Sequence, residues 1–117
     1  MKLITSPAKL MNITRRNDAL KGTSPQFIKE AEYIQSYLKE RTPKYLSELM
    51  AISQKLADEN WERNQKWTPK PPPDECCQAL FAFTGEVYRG IDACSLDQNA
   101  INYLQKNYCI LSGLYGF

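Results

Sequence analysis

Tyr108-Cys109-Ile110-Leu111-Ser112-Gly113-Leu114-Tyr115-Gly116-Phe117 closes the sequence, with two glycines three apart among apolar residues. Glycine accepts positive φ and lets backbone approach another surface, so the pattern suits a tight turn that offers bare N–H groups. The residues before it, from Asp97 to Tyr108, are expected to form a helix carrying Ile101, Leu104 and Tyr108 on one face. A helix running into such a turn has the form of the first half of a helix-hairpin-helix, a device that holds phosphates with backbone amides. A second helix would complete it, and the sequence ends at Phe117. A buried strand from Cys109 to Leu114 followed by a turn fits the same residues.

Working outward, 117 residues suffice for one domain with a modest core. Apolar content of 43% with 24% charged residues excludes a disordered chain. A net charge of +2 does not by itself mark a nucleic-acid binder. The opening segment is more basic: Lys2, Lys9, Arg15, Arg16 and Lys21 face only Asp18. A solvated loop and a polyanion-binding segment both account for that cluster. No apolar run is long enough to cross a bilayer and the start lacks a signal-peptide core, so a cytoplasmic protein without a membrane partner is expected. Cys76, Cys77, Cys94 and Cys109 show no C-x-x-C spacing, and reduced thiols are expected. Histidine is absent, which removes Ser-His and Cys-His catalytic pairs and leaves no expected metal or cofactor.

Lys2-Leu3-Ile4-Thr5 reads as a short buried strand, ended by Ser6-Pro7-Ala8-Lys9 because Pro7 cannot donate to a ladder. A basic loop after a first strand is a common anion site in α/β proteins; a plain turn with a solvated lysine fits as well. Leu10 to Thr23 lacks a period and reads as an exposed connection. Ser24-Pro25 is expected to open a helix with a stripe of Phe27, Ala31, Ile34 and Leu38. Thr42-Pro43 repeats the start signal for a second helix, with Leu46, Leu49, Met50, Ser53, Leu56 and Ala57 inward and an end between Asn60 and Trp67. Little chain separates the two, which predicts a helix pair. Trp67 to Asp74, with four prolines, reads as a semi-rigid connector rather than a domain boundary. Asp74 is expected to cap a helix through Cys76 to Phe83. Gly85 and Gly90 bracket Tyr88 and Arg89, a pair suited to stacking on a base and holding a phosphate, or to a turn with a half-buried tyrosine. Ser95 with Gln98 resembles a capping box for the last helix.

Four stretches, in this order, resemble the YaaA family of bacterial peroxide-stress proteins. They are Leu3-Ile4-Thr5-Ser6-Pro7-Ala8-Lys9; Thr42-Pro43 followed by Leu49-Met50-x-Ile52-Ser53-x-Lys55-Leu56-Ala57; Gln78-Ala79-x-x-Ala82-Phe83-x-Gly85-x-Val87-Tyr88-x-Gly90; and Leu111-Ser112-Gly113-Leu114-Tyr115-Gly116. The resemblance covers nearly the whole sequence but only about the first half of a family member. It implies that 1–117 is the N-terminal part of a single domain: a mainly helical α/β fragment with a short N-terminal strand and a helix-hairpin element at its end. It also implies a cytoplasmic protein that limits iron-dependent damage from hydrogen peroxide and binds duplex DNA through a basic cleft.

Carried onto this sequence, the resemblance places Lys9 in the cleft and Ser112, Gly113, Leu114, Tyr115 and Gly116 in the hairpin. Ser6 stands beside Lys9 in its loop, and Lys55, Arg63, Tyr88 and Arg89 are further candidates for the same surface. The apolar segment and basic-Pro stretch that usually follow the hairpin have no counterpart, which predicts self-association through the surface the missing half would cover. The cysteines match no family pattern and are expected to be bystanders. An enzyme that binds a nucleotide or phosphorylated ligand at Ser6-Lys9, with Tyr88 or Lys55 in proton transfer, is the alternative function.

Overall fold

A computed structural model describes residues 1–15 and 22–117; Arg16, Asp18 and Lys21 of the basic cluster lie outside them. The fold is a mainly helical α/β arrangement that divides into two compact units, one formed by 1–26 and 72–117, the other by 27–71. The chain passes between them twice, between Gln26 and Phe27 and between Pro71 and Pro72, the second inside the proline-rich connector.

In the first unit, strand β1 (Leu3–Thr5) pairs in parallel with β2 (Tyr108–Ile110), with Leu3 opposite Tyr108, Ile4 opposite Cys109 and Thr5 opposite Ile110. Among the described residues these two strands make up the sheet. The first strand is where the sequence placed it, but it is not buried: Leu3 is 41% and Ile4 62% exposed. The buried hydrophobic residues of this unit are Phe81, Ala82, Tyr88 and Ala93.

The expected helix from Cys76 to Phe83 is reduced to α4 (Ala79–Ala82). Asp74 sits within a 3-10 turn (Pro73–Glu75) instead of capping a helix, and Cys76 is extended. At the other end, the Asn12 N–H donates to the Ala82 carbonyl at 2.7 Å and the Thr84 N–H to that of Leu10 at 3.1 Å. This bridge, with Met11 opposite Phe83, withdraws the backbone from helical pairing. Gly85, at φ 127°, turns the chain into α5 (Glu86–Ile91), so the glycine-bracketed segment is a helix and Tyr88 is buried, not half-buried. The last helix, α6 (Gln98–Asn107), is capped by Asp97, whose carboxylate accepts the Ala100 N–H at 2.8 Å. Ser95, expected as the cap, donates its hydroxyl to the Asp92 carbonyl at 2.7 Å. Tyr108 leaves the helix and opens β2.

The second unit contains α1 (Ile28–Leu38), α2 (Pro43–Met50) and α3 (Gln54–Lys66). The first starts at Ile28 with no side-chain cap, later than Ser24-Pro25 predicted. Its buried face is Ala31 and Gln35, while Phe27 and Ile34 stay partly exposed, so the expected apolar stripe is rotated onto a polar residue. Gln35 reaches the core with its Nε2 donating to Asn64 Oδ1 at 2.9 Å, while its Oε1 is buried with no hydrogen-bond partner among the described residues. The second predicted helix is two. Thr42 caps α2 through the Tyr45 N–H, as expected, but Ala51 turns left-handed at φ 51° and Ser53 caps α3 through the Leu56 N–H. Ser53, expected in the stripe, is thus a helix start. Leu46 on α2 and Ala57 on α3 are buried, and the two helices pack against each other.

Candidate functional site

Parallel pairing puts the carboxyl ends of β1 and β2 on one side of the sheet. Ser6-Pro7-Ala8-Lys9 leaves from the first and Leu111 leads into the Ser112–Gly116 hairpin from the second. The Leu111 N–H donates to the Thr5 carbonyl at 2.9 Å, so the two loops depart side by side. This is the edge at which open α/β sheets place ligands.

The hairpin forms as a closed turn. Ser112 and Gly116 exchange backbone hydrogen bonds at 2.6 and 3.0 Å, and Gly116 takes φ 78°. Ser112 Oγ accepts the N–H groups of Leu114 at 3.2 Å and Tyr115 at 3.1 Å. The amides expected to be bare are therefore used by the turn itself. Gly113 differs: a Cβ built there would meet nothing within 4 Å, and its N–H has no protein partner among the described residues. Ser112 is the residue that stiffens the turn, and Gly113 the one that leaves room for a close approach.

Tyr88 joins α5 to the first loop. Its hydroxyl donates to the Ser6 carbonyl at 2.6 Å, and its ring lies 5.3 Å from that of Phe83 at a tilt of 35°. The Thr5 hydroxyl and the Tyr108 hydroxyl are 2.7 Å apart, and both act on Tyr88. Burial pushes the Tyr88 phenol above its ordinary value; the bond with Thr5 opposes this, and Tyr108 reinforces it. Tyr88 is thus a neutral pin at neutral pH, with its ring and hydroxyl both engaged. An opening of about 180 Å³ lies beside it, lined by Ser6, Pro7, Ala8, Thr84, Gly85 and Glu86 among others. A larger cleft of about 490 Å³ continues along Thr84, Gly85, Glu86, Tyr88, Arg89 and Asp92.

Of the candidates named from sequence, Ser6, Lys9, Tyr88, Arg89, Ser112, Gly113, Tyr115 and Gly116 belong to the first unit, and Lys55 and Arg63 to the second. Ser6 and Tyr88 are hydrogen-bonded neighbours, and Lys9 is exposed at the end of the same loop. Arg89 has an exposed side chain that pairs with Glu86 at 2.5 Å, an exposed contact of small energetic weight. Lys55 is exposed near the start of α3, and Arg63 lies 3.9 Å from Glu59 on the same helix. Thr5, Thr84, Asp92 and Tyr108 take part in the site without having been named. Register across more than 100 residues is what brings Thr5 and Tyr108 together, and no local pattern carries it. None of the four cysteines forms a disulfide, and Cys76 and Cys94 are exposed. Among the described residues no group of three or more Asp, Glu, Cys or His side chains is placed to hold a metal ion, and no helix is long and apolar enough to cross a membrane.

A two-stranded parallel sheet with its loops gathered at one end, accompanied by short helices, defines a mainly helical α/β unit. The family follows from the sequence as a whole: residues 1–117 match the model of the family described as peroxide stress protein YaaA, and the chain belongs to that family. It is 44% identical to a UPF0246 protein of Flavobacterium johnsoniae over 116 residues, which is 99% of this chain and 46% of that relative. It is 42% identical to one from Hahella chejuensis, covering 45% of it, and 39% identical to UPF0246 protein NMB0895 of Neisseria meningitidis serogroup B, also covering 45%. The chain therefore spans a little under half the length of the curated relatives it matches.

Proposed function

We propose that this chain acts in resistance to hydrogen peroxide, and that the loops following β1 and β2 hold duplex DNA by its phosphates. The family supports the first part. The observation that carries the second is the convergence of the Ser6–Lys9 loop with the Ser112–Gly116 hairpin at one end of a parallel strand pair. Together they offer an ammonium group, a hydroxyl and the Gly113 N–H, groups that bind phosphate oxygens and read no base edges. Binding is then independent of sequence and weakens with salt as counterions return to the duplex.

The same electrostatics links DNA to peroxide. Iron(II) among the counterions of a duplex generates radicals next to the bases when peroxide arrives; protein cations on the phosphates displace those counterions. The chain limits iron-dependent damage in this reading by occupying phosphates in the cytoplasm, not by holding iron. A phosphorylated small ligand is disfavoured in the adjoining cleft, because Glu86 and Asp92 line it with carboxylates and Arg89 is engaged by Glu86.

The test is duplex binding across a salt series, with Lys9→Ala beside the parent chain. Lys9→Ala is expected to weaken binding uniformly across sequences and to reduce the salt slope by about 1, the value for one lost phosphate contact. Absence of binding at low salt, or a Lys9→Ala slope equal to the parent's, overturns the assignment of the phosphate surface to these loops.

A further inference from the structure

Consecutive turns of α1 bring two tyrosines together outside the site described above. Tyr33 and Tyr37 stand four residues apart, a spacing that sets Cβ atoms about 5–6 Å apart on one side of a helix. Their rings meet edge to face, with centroids 5.2 Å apart and planes at 76°, and their hydroxyl oxygens lie 3.0 Å apart in a hydrogen bond. That bond holds the Tyr37 phenol above its ordinary value, with shielding from water and the carboxylate of Glu40 acting in the same direction. Both residues belong to one helix, so the pairing is set by helix spacing rather than by contacts with other elements. Both are exposed, at 66% and 49%. Tyr88 and Tyr108 are also neighbours, but Tyr88 is buried and its hydroxyl is held by the Ser6 carbonyl.

We propose that Tyr33 and Tyr37 form an oxidation site, at which a one-electron oxidant couples the two rings into dityrosine. Radicals that ferrous iron makes from hydrogen peroxide belong to that class of oxidant. Each phenol gives one electron to the oxidant and its hydroxyl proton to water. The two phenoxyl radicals then join through the ring carbons beside their oxygens, forming one carbon–carbon bond. Each of those carbons loses its hydrogen and each oxygen regains one, which restores both aromatic rings. The pair as a whole has lost two hydrogen atoms. Touching hydroxyls place those ring carbons beside the shared hydrogen bond, and the rotation that brings them into contact is a picosecond-to-nanosecond motion for exposed side chains. Holding both partners on one helix makes the coupling intramolecular, so it staples consecutive turns of α1 without joining chains. The site stands apart from duplex binding, since the groups assigned to phosphate lie on other elements.

The experiment exposes the 117-residue chain to a photochemical one-electron oxidant, ruthenium tris-bipyridyl with persulfate, and reads dityrosine by its blue fluorescence and by mass spectrometry. Cleavage after Lys29 and Lys39 leaves both tyrosines in one peptide, 30–39. That peptide is expected to lose two hydrogen atoms and to carry most of the dityrosine, in a yield independent of protein concentration. Tyr33→Phe and Tyr37→Phe are each expected to abolish the cross-link in 30–39, and circular dichroism checks that both variants keep their helical content. Unfolding the chain in urea before oxidation is expected to lower the yield several-fold, because the spacing is lost with the helix. The proposal is overturned by a 30–39 peptide that is left uncoupled, hydroxylated or not, by dityrosine found chiefly between chains or in another tyrosine pair, or by an equal yield in the unfolded chain.

Discussion

Replacing Tyr88 by Phe isolates the hydroxyl that ties α5 to the loop after β1. The ring is 4% exposed and keeps its place beside Phe83 in the variant, so no cavity is made. What is lost is the 2.6 Å donation to the Ser6 carbonyl. Ser6 is exposed, so water can reach its carbonyl once the phenol is gone, and the full penalty of an orphaned buried acceptor does not apply. The loss should therefore be about 1 kcal/mol, the net value of a typical hydrogen bond. For a chain of this size that lowers Tm by about 4 °C. Tyr88→Ala, which also empties the ring's site, should cost about 3–5 kcal/mol. Urea titrations followed by far-ultraviolet circular dichroism give both values. The pH dependence supplies a second reading. Burial raises the Tyr88 pKa above the ordinary 10.0, so the native state holds this proton more tightly than the unfolded state does. That contribution is complete below pH 10 and is lost as pH rises through the folded-state pKa. The stability gap between the parent and Tyr88→Phe should therefore narrow above pH 10. A gap that stays constant into the alkaline range, or a Phe variant as stable as the parent at pH 7, would refute the role given to the phenol.

Ser112→Ala removes the acceptor for two turn amides and should destabilise the hairpin by about 1 kcal/mol, seen as faster amide exchange at Leu114 and Tyr115. Gly85→Ala should cost about 1–3 kcal/mol from backbone strain alone, because φ is 127° while Ala8 Cβ, the nearest atom to the new methyl, is an ordinary 3.9 Å away; a thermal melt measures it. Gly113→Ala has no steric obstacle and should leave Tm within about 1 °C of the parent while weakening duplex binding, if phosphate approaches that amide closely. Ser53→Ala should lower stability by about 1 kcal/mol through loss of the α3 cap, and chemical denaturation of the variant checks it.

Local signals in the sequence were sufficient where one residue type decides the structure. Thr42-Pro43 starts a helix because the hydroxyl answers an orphan amide and proline lacks the one that would be wasted. Pro7 ends β1, and Gly116 supplies the left-handed corner of the hairpin. Legibility failed where two local signals competed and a distant group decided between them. Ser53 fits an apolar stripe by spacing and a cap by chemistry; the left-handed Ala51, which no propensity favours, settles it for the cap. The segment Cys76 to Phe83 has helical composition, yet bridging to Leu10 and Asn12 pulls its end into extended form. Gln35 is buried beside Asn64, 29 residues on, which receives its amide N–H.

The same reasoning explains why the candidate site was read in pieces. Its loops were each recognisable, since Ser6-Pro7-Ala8-Lys9 and Ser112-Gly113-Leu114-Tyr115-Gly116 carry their own turn chemistry. Their adjacency depends on β1 and β2 lying parallel and in one register, a relation between two three-residue strands that leave little pattern to match. Tyr88 then locks the arrangement by bonding to backbone at Ser6, a carbonyl that any residue at position 6 would offer. The side chain at position 6 takes no part in that bond, while its backbone fixes the loop. A Ser6→Ala substitution should accordingly keep the Tyr88 bond and the fold, so any loss of duplex binding it causes reports on the hydroxyl itself.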